Sequence, residues 1–588
     1  MIVSASANER GLNMIDLIIR GGSVYDGSGH PVFTGDIGVT AGRISHVSKR
    51  RLPDAAHRVI DADGLMVTPG FVDMHTHYDA QATWDPTLTP SSMHGCTTVV
   101  MGSCGVGFAP VEPHRHKWLI GLMEGVEDIP GAAMHEGIQW EWETFPEYLD
   151  ALERKRFVMD VGTQIPHGAL RAYVMGDRGA KNEDATHNDI ERMGVIVEEA
   201  LRAGALGFST SRTMLHKAIS GEPVPGTFAA HAELMGLARA MARAEHGVFQ
   251  FATEHTNVPQ ELGWMEEISQ ITGRPVLFNL SQIDQAPQLW REVIEKLEGI
   301  ASRGAPVYGQ VAGRAIGVLM CWRGTANPFA LCPSYMSIMH KPWEEKFAAL
   351  SDPEFKAKLL HEEPLQLGEF ETFITQTYSK MYPFEGEVDY EPSASASVAA
   401  LAEARGCSPK EVAYEALMRD EGSGFLYFPL FNYSEGSLDA LYELHQHPNT
   451  LLGLSDAGAH CGAICDGGMP TFMLSYWGRD RQRGPKLPLE YLVRRQTRDT
   501  AAVFGLQDRG LLAEGYRADL NLIDFERLNA LRPQMVYDLP AGGRRLLQGA
   551  EGYVATICQG SVTHEAGEHT GALPGQLIRG PQRVTLGG

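Results

Sequence analysis

The chain has 588 residues, 43% of them hydrophobic, enough to bury a large core in about two to four domains, one of which can be a barrel. Fifty Lys and Arg against 73 Asp and Glu leave a net charge of −23, a field that repels nucleic acid and anionic membrane and argues for an ordinary soluble protein. No apolar run approaches the roughly 18 residues of a membrane span, and Met1–Arg10 is too polar for a secretory leader.

Residues 15–66 alternate short β-rich runs with turns. Leu17-Ile-Ile-Arg-Gly-Gly22, Gly35-Asp-Ile-Gly-Val39 and Arg43-Ile-Ser-His-Val47 are separated by Asp26-Gly-Ser-Gly29 and Ala41-Gly42, which predicts hairpins. A different rhythm follows. Apolar runs near 66–74, 96–103, 157–165, 205–209, 247–252, 275–280, 306–311 and 450–455 predict strands. Helix-period segments lie between several of them, at Asn188–Ala203, Ala229–Ala244, Pro259–Ile271 and Gln288–Ala301. Strands alternating with helices imply a parallel sheet, and eight of them suggest a closed (β/α)₈ TIM-like barrel. Residues 312–449 are too long for one loop and predict a helical insertion over the barrel mouth. The C-terminal runs Ala518-Asp-Leu-Asn-Leu-Ile-Asp524 and Tyr553-Val-Ala-Thr-Ile-Cys558 resemble the N-terminal ones. The expected organisation is therefore a small β-sandwich domain built from 1–66 and 506–588, with a barrel over 67–505 between. Eight scattered cysteines (96, 104, 321, 332, 407, 461, 465 and 558) fit reduced thiols in the cytoplasm better than a disulfide framework. A homo-oligomer stays open.

Val67-Thr-Pro-Gly-Phe-Val-Asp-Met-His-Thr-His77 leads an apolar run into two histidines. On a strand, residues i and i+2 share a face, so His75 and His77 would point the same way at the strand's C-terminal end. Paired imidazoles suit zinc. Cys104 sits in the glycine-crowded turn Gly102-Ser-Cys-Gly105 after the second strand, where a thiolate could join the same ion. An apolar strand ends in Ser455-Asp456, placing a carboxylate at the same mouth, as ligand or proton acceptor. His460, four residues on, is a candidate for substrate contact. His167 and Arg212 follow the third and fourth strands. His167 could polarise a carbonyl, and Arg212 could hold an anionic group by a bidentate contact.

His75-x-His77 after a Pro-Gly turn, the late Ser-Asp and a β-domain made from both termini resemble the amidohydrolase superfamily. Gly102-Ser-Cys104-Gly, Pro166-His-Gly-Ala-Leu-Arg171, Gly207-Phe-Ser-Thr-Ser211 and His569-Thr-Gly-Ala-Leu-Pro-Gly575 resemble its D-aminoacylase (N-acyl-D-amino-acid deacylase) branch. That resemblance implies a metal-dependent hydrolase in which bound water attacks an amide carbonyl of a small-molecule substrate. His75, His77 and Cys104 would be ligands, Cys104 replacing a carboxylated lysine, and Asp456 would be ligand and general base. The family also has histidines at the fifth and sixth strand ends. Here Val248-Phe-Gln-Phe-Ala-Thr-Glu-His255 offers one only if shifted, and Val276-Leu-Phe-Asn-Leu-Ser-Gln282 offers none. The expectation is one Zn²⁺ per chain, held by His75, His77, Cys104 and Asp456. Asp456 cannot be a tight ligand and a free base at one instant, so it must change partners or keep one oxygen free.

The family's carboxylate-holding tyrosine and lysine fall near Met214 and Gln282, neither of them charged. An amide, carbamate or ester other than an N-acyl amino acid is therefore an alternative substrate. Cyclic amidases fit less well, because Gly204–Ser209 has no lysine. A non-catalytic scaffold is the remaining alternative, opposed by the four potential ligands at one barrel mouth.

Overall fold

The computed structural model describes residues 14–386 and 388–584. The residues examined for a leader, Met1–Arg10, lie outside that range. All eight predicted runs become strands of one sheet: β1 (Phe71–Asp73), β2 (Cys96–Met101), β3 (Asp160–Pro166), β4 (Gly207–Ser211), β5 (Val248–Ala252), β6 (Val276–Asn279), β7 (Val307–Val311) and β8 (Thr450–Leu452). They hydrogen-bond in chain order and every pairing is parallel. The sheet curls so that its ends meet. Thr76 bridges Ala457 in parallel, the His77 N–H donates to the Ala457 carbonyl at 2.8 Å, and Ser455 Oγ donates to the Asp73 carboxylate.

The strands read as apolar runs because both faces are covered; all five residues of β5 are buried. The predicted helices fall at His187–Ala203, α3 at His231–Ala244, α4 at Val258–Thr272, and Leu289–Ser302, preceded in chain order by α1 (His116–Glu127) and α2 (His167–Met175). The first of these starts at a capping box between Thr186 and Asp189, which satisfies orphan N–H groups. Helix α3 buries Leu234, Leu237, Ala238 and Met241 at i, i+3, i+4 and i+7 against the barrel.

Both chain ends build one nine-stranded sheet. Met66–Pro69 pairs parallel with Ile15–Val24 on one side and antiparallel with Leu520–Ile523 on the other. Its inward side chains, including Leu17, Ile19, Val67, Leu520 and Ile557, form one cluster. The expected sandwich is thus one continuous sheet around its own core. Under the barrel, Asp160 at the start of β3 accepts from Arg509 Nη1 at 2.8 Å and pairs with Arg517 Nη2 at 2.9 Å. Asp508 and Asp519 face the same two guanidiniums. Breaking a buried pair strands a charge, so Asp160→Ala should destabilise the fold by about 3 kcal/mol, the low end of the usual range because two carboxylates remain. Denaturant unfolding measures this. An unchanged midpoint would show that the network contributes nothing. Activity per folded molecule should not change, since Asp160 lies at the barrel end opposite His75.

The 312–449 insertion differs from expectation. It is mixed rather than helical, with a three-stranded antiparallel sheet of Ile316–Met320, Leu426–Phe431 and Tyr382–Pro383 beside its helices. Trp322, Phe329, Tyr335 and Tyr414 pack into its own core. It sits on the mouth side: the Leu319 N–H donates to the Ala463 carbonyl, and Thr325 Oγ1 donates to Asp128 at the end of α1. All eight cysteines are free, and among the described residues no helix is long and apolar enough to cross a membrane.

Candidate active site

His75 and His77 lie just past β1. The Thr76–Ala457 bridge prolongs the β-pitch through them, which keeps both rings on the inner face with centroids 5.6 Å apart. Cys104 occupies the turn after β2. Backbone crowds this turn: a Cβ on Gly102 would lie 2.3 Å from the Gln164 carbonyl oxygen, and one on Gly105 2.5 Å from the Ser211 nitrogen. Cys104 itself (φ +58°), Leu454 (+60°), Asp456 (+48°) and His460 (+52°) are left-handed without being glycine. Such conformations cost energy and gather where geometry serves function.

These turns bring four donors together. His75 Nε2 lies 3.2 Å from Cys104 Sγ and 3.1 Å from Asp456 Oδ1, and His77 Nε2 lies 3.5 Å from that same oxygen. One donor atom each from His75, His77 and Cys104 fall within 4.8 Å of one another. Ligands of a tetrahedral zinc, at about 2.0–2.3 Å from the ion, stand roughly 3.3–3.6 Å apart; the contacts of His75 with Cys104 and of Asp456 with both histidines are close to that spacing. The charges fit as well. Among the described residues no lysine or arginine pairs with Asp456 or with the buried Glu127; both carboxylates face histidines only. Burial opposes ionisation of Asp456, but His75 and His77 outweigh it and hold its carboxyl well below the usual range. Burial alone would lower His75, yet Cys104 and Asp456 hold its imidazole well above the ordinary value. Burial pushes the Cys104 thiol up, against the pull of His75. It also pushes His77 down to about 4. A divalent cation would relieve this set by replacing shared protons.

His460 joins the group. Its N–H donates to the Glu127 carbonyl, its Nε2 lies 3.8 Å from Glu127 Oε2, and it keeps 22% of its side-chain exposure. His167 and Arg212 do not join. His167 gives both ring nitrogens to protein, Nδ1 to Thr210 Oγ1 at 2.8 Å and Nε2 to Glu233 Oε1 at 2.9 Å. Arg212 is held by Glu261 at 3.1 Å and the Ala229 carbonyl at 2.9 Å, with Trp264 under its guanidinium. Both are anchored to α3 and α4 because the helices after β4 and β5 supply buried carboxylates that must be matched. His167 therefore has no ring nitrogen left for a substrate, whereas the Nη2 of Arg212 is not engaged by Glu261 or by the Gly226 and Ala229 carbonyls. His255, beyond the end of β5, packs on Phe431 rather than joining the donor cluster.

Three features escaped the sequence reading. Glu127 ends α1 with Oε1 3.2 Å from His77 Nδ1; burial and then Asp456 push its carboxyl well above the usual range. As one acidic residue among 73, it carried no signal. His216 lies half-buried nearby, pushed down to about 3 by desolvation and by His460 and His77. Gln164, Gln250 and Gln310 lie inside β3, β5 and β7, fully buried. Their signal was visible: a polar residue inside an apolar strand, as in Val248-Phe-Gln-Phe-Ala252.

Comparison with known proteins gives the family and the fold. The amidohydrolase family profile matches residues 58–564. An uncharacterised Mycobacterium bovis protein is 28% identical over 536 residues, 87% of this chain and 84% of that one. D-aminoacylase from Alcaligenes xylosoxydans xylosoxydans is 37% identical over 196 residues, 33% of this chain and 37% of that one. The solved N-acyl-D-glutamate deacylase from Bordetella bronchiseptica, complexed with zinc and a phosphonate inhibitor, shares the fold with a TM-score of 0.64 at 23% identity, covering 96% of this chain and all of that one. The chain belongs to the amidohydrolase family, and over a third of its length it is similar to D-aminoacylase.

Proposed function

We infer that the enzyme is a zinc-dependent deacylase that cleaves the linear amide of an N-acyl amino-acid-like substrate. The observation that carries this reading is the spacing of His75, His77, Cys104 and Asp456, 3.1–3.5 Å between neighbouring donors. The likeness to D-aminoacylase and to an N-acyl-D-glutamate deacylase supports the substrate class. One zinc ion would be held by these four residues. When bound, it would supply Lewis acidity and a water acidified toward neutral pH.

The chain's own groups do the remaining work. Asp456 touches both histidines through Oδ1, and its side chain keeps 17% exposure while His75 keeps none. One carboxylate oxygen can thus face the ligands while the other takes the proton of the attacking water and later passes it to the leaving amine. This removes the conflict between ligand and base. Glu127 Oε1 stands 3.2 Å from His77 Nδ1 without an aligned hydrogen bond, and a small turn of the ring would let it hold that imidazole as carboxylates commonly do for ligating histidines. His460, whose side chain is 22% exposed, contacts the substrate; His167, with both ring nitrogens taken, does not. Residues 67–505 are read as the catalytic barrel, with 1–66 and 506–588 as its supporting β-domain. The free cysteines favour a cytoplasmic site of action.

Elemental analysis with a screen of N-acyl amino acids tests the reading. Roughly one zinc per chain and release of a carboxylate plus an amine are expected. Cys104→Ser should weaken zinc retention. No zinc bound on addition, or no turnover across the screen, would overturn it.

A further inference from the structure

We propose that Gln164, Gln250 and Gln310 form a positioning chain that fixes the proton of His75 on Nδ1 and so presents Nε2 to the metal. The proposal rests on the metal reading above. The three glutamines come from β3, β5 and β7, and with His75, just past β1, they make one interior layer contributed by alternate strands. Such layers are ordinarily filled by Val, Ile or Leu. Here all four side chains are fully buried and polar.

The hydrogen bonds run in one direction. Gln164 Nε2 donates to Gln250 Oε1 at 3.0 Å, and Gln250 Nε2 donates to Gln310 Oε1 at 3.0 Å. His75 Nδ1 lies 2.9 Å from that same Gln310 oxygen. An amide oxygen only accepts. A bare Nδ1 would set its lone pair against that of Gln310 Oε1, so the proton belongs on Nδ1. Gln250 Nε2 also lies 3.0 Å from Nδ1, but one of its two N–H groups goes to Gln310 Oε1 and the other diverges from it by about 120°, whereas Nδ1 and that oxygen lie together on one side, 2.9 Å apart. A neutral imidazole protonated on Nδ1 carries its lone pair on Nε2, the atom that faces Cys104 and Asp456. The layer is not built for stability: Gln164 Oε1 and Gln310 Nε2 are buried without partners, a cost that an apolar layer would avoid.

Competition with a chelator gives the zinc affinity of purified variants, with circular dichroism as the check on folding. Gln310→Leu removes the acceptor and should weaken zinc binding about 10–100-fold, the usual effect of losing such a partner. Gln310→Glu keeps the accepting oxygen and gives up only an unpartnered donor, so it should restore binding. Gln164→Leu, two bonds away, should fall between Gln310→Leu and the parent protein. His75→Ala is the control. If it leaves zinc affinity unchanged, the metal reading fails. If it abolishes binding while folded Gln310→Leu binds like the parent, the positioning chain is wrong. Failure of Gln310→Glu to restore affinity in a folded protein also overturns it, as does an equal loss of stability without any change in zinc.

Discussion

Asp456→Asn should lower kcat by about 10²–10⁴-fold, the usual share of general acid–base catalysis, or roughly 3–5 kcal/mol of barrier. Asparagine keeps the volume of the side chain and one oxygen to face His75 and His77, which lie 3.1 and 3.5 Å from Asp456 Oδ1. It cannot take a proton. The fold should survive, because Ser455, not Asp456, ties the end of β8 to Asp73. Steady-state kinetics with zinc content measured on the same sample separates the two roles of the residue. A lower kcat at full zinc content identifies the base. A fall that follows zinc loss would make Asp456 a ligand alone, and an unchanged rate would remove it from the chemistry.

His75→Ala and His77→Ala should each abolish activity together with zinc. A small set of donors leaves little margin, and removing one imidazole leaves the Cys104 sulfur and the Asp456 carboxylate in buried ground beside Glu127. His75 is the more sensitive of the two. Its Nε2 contacts both Cys104 and Asp456, and its Nδ1 ends the glutamine chain. Parallel assays of metal content and turnover give the outcome. Retained turnover without zinc would end the metal mechanism.

Much of this arrangement was legible before the coordinates. Each of the eight barrel strands was an apolar run, because a strand covered on both faces has no polar side to show. The helices kept a 3.6-residue period, since each buries one stripe, as α3 does with Leu234, Leu237, Ala238 and Met241. His75, His77, Cys104 and Asp456 stood at strand ends, marked by turn residues and metal-binding side chains. Glu127 had no such mark. It is 50 residues from His77 and ends a helix on a loop whose path no local pattern encodes. His167 shows the opposite case: a residue suited to polarising a substrate is equally suited to a buried ion pair, and only its neighbour Glu233 chooses between the two.

The insertion shows the same division. Its length marked it as a folded unit, but its sheet pairs Ile316–Met320 with Leu426–Phe431 across more than a hundred residues. Local sequence encodes which backbone period a segment takes and which side chains sit at its ends, because those depend on neighbours a few positions away. Pairing across the chain, the direction of the glutamine hydrogen bonds and the meeting of Glu127 with His77 depend on groups that come close only when the barrel closes. Burial then gives those few contacts their energetic weight.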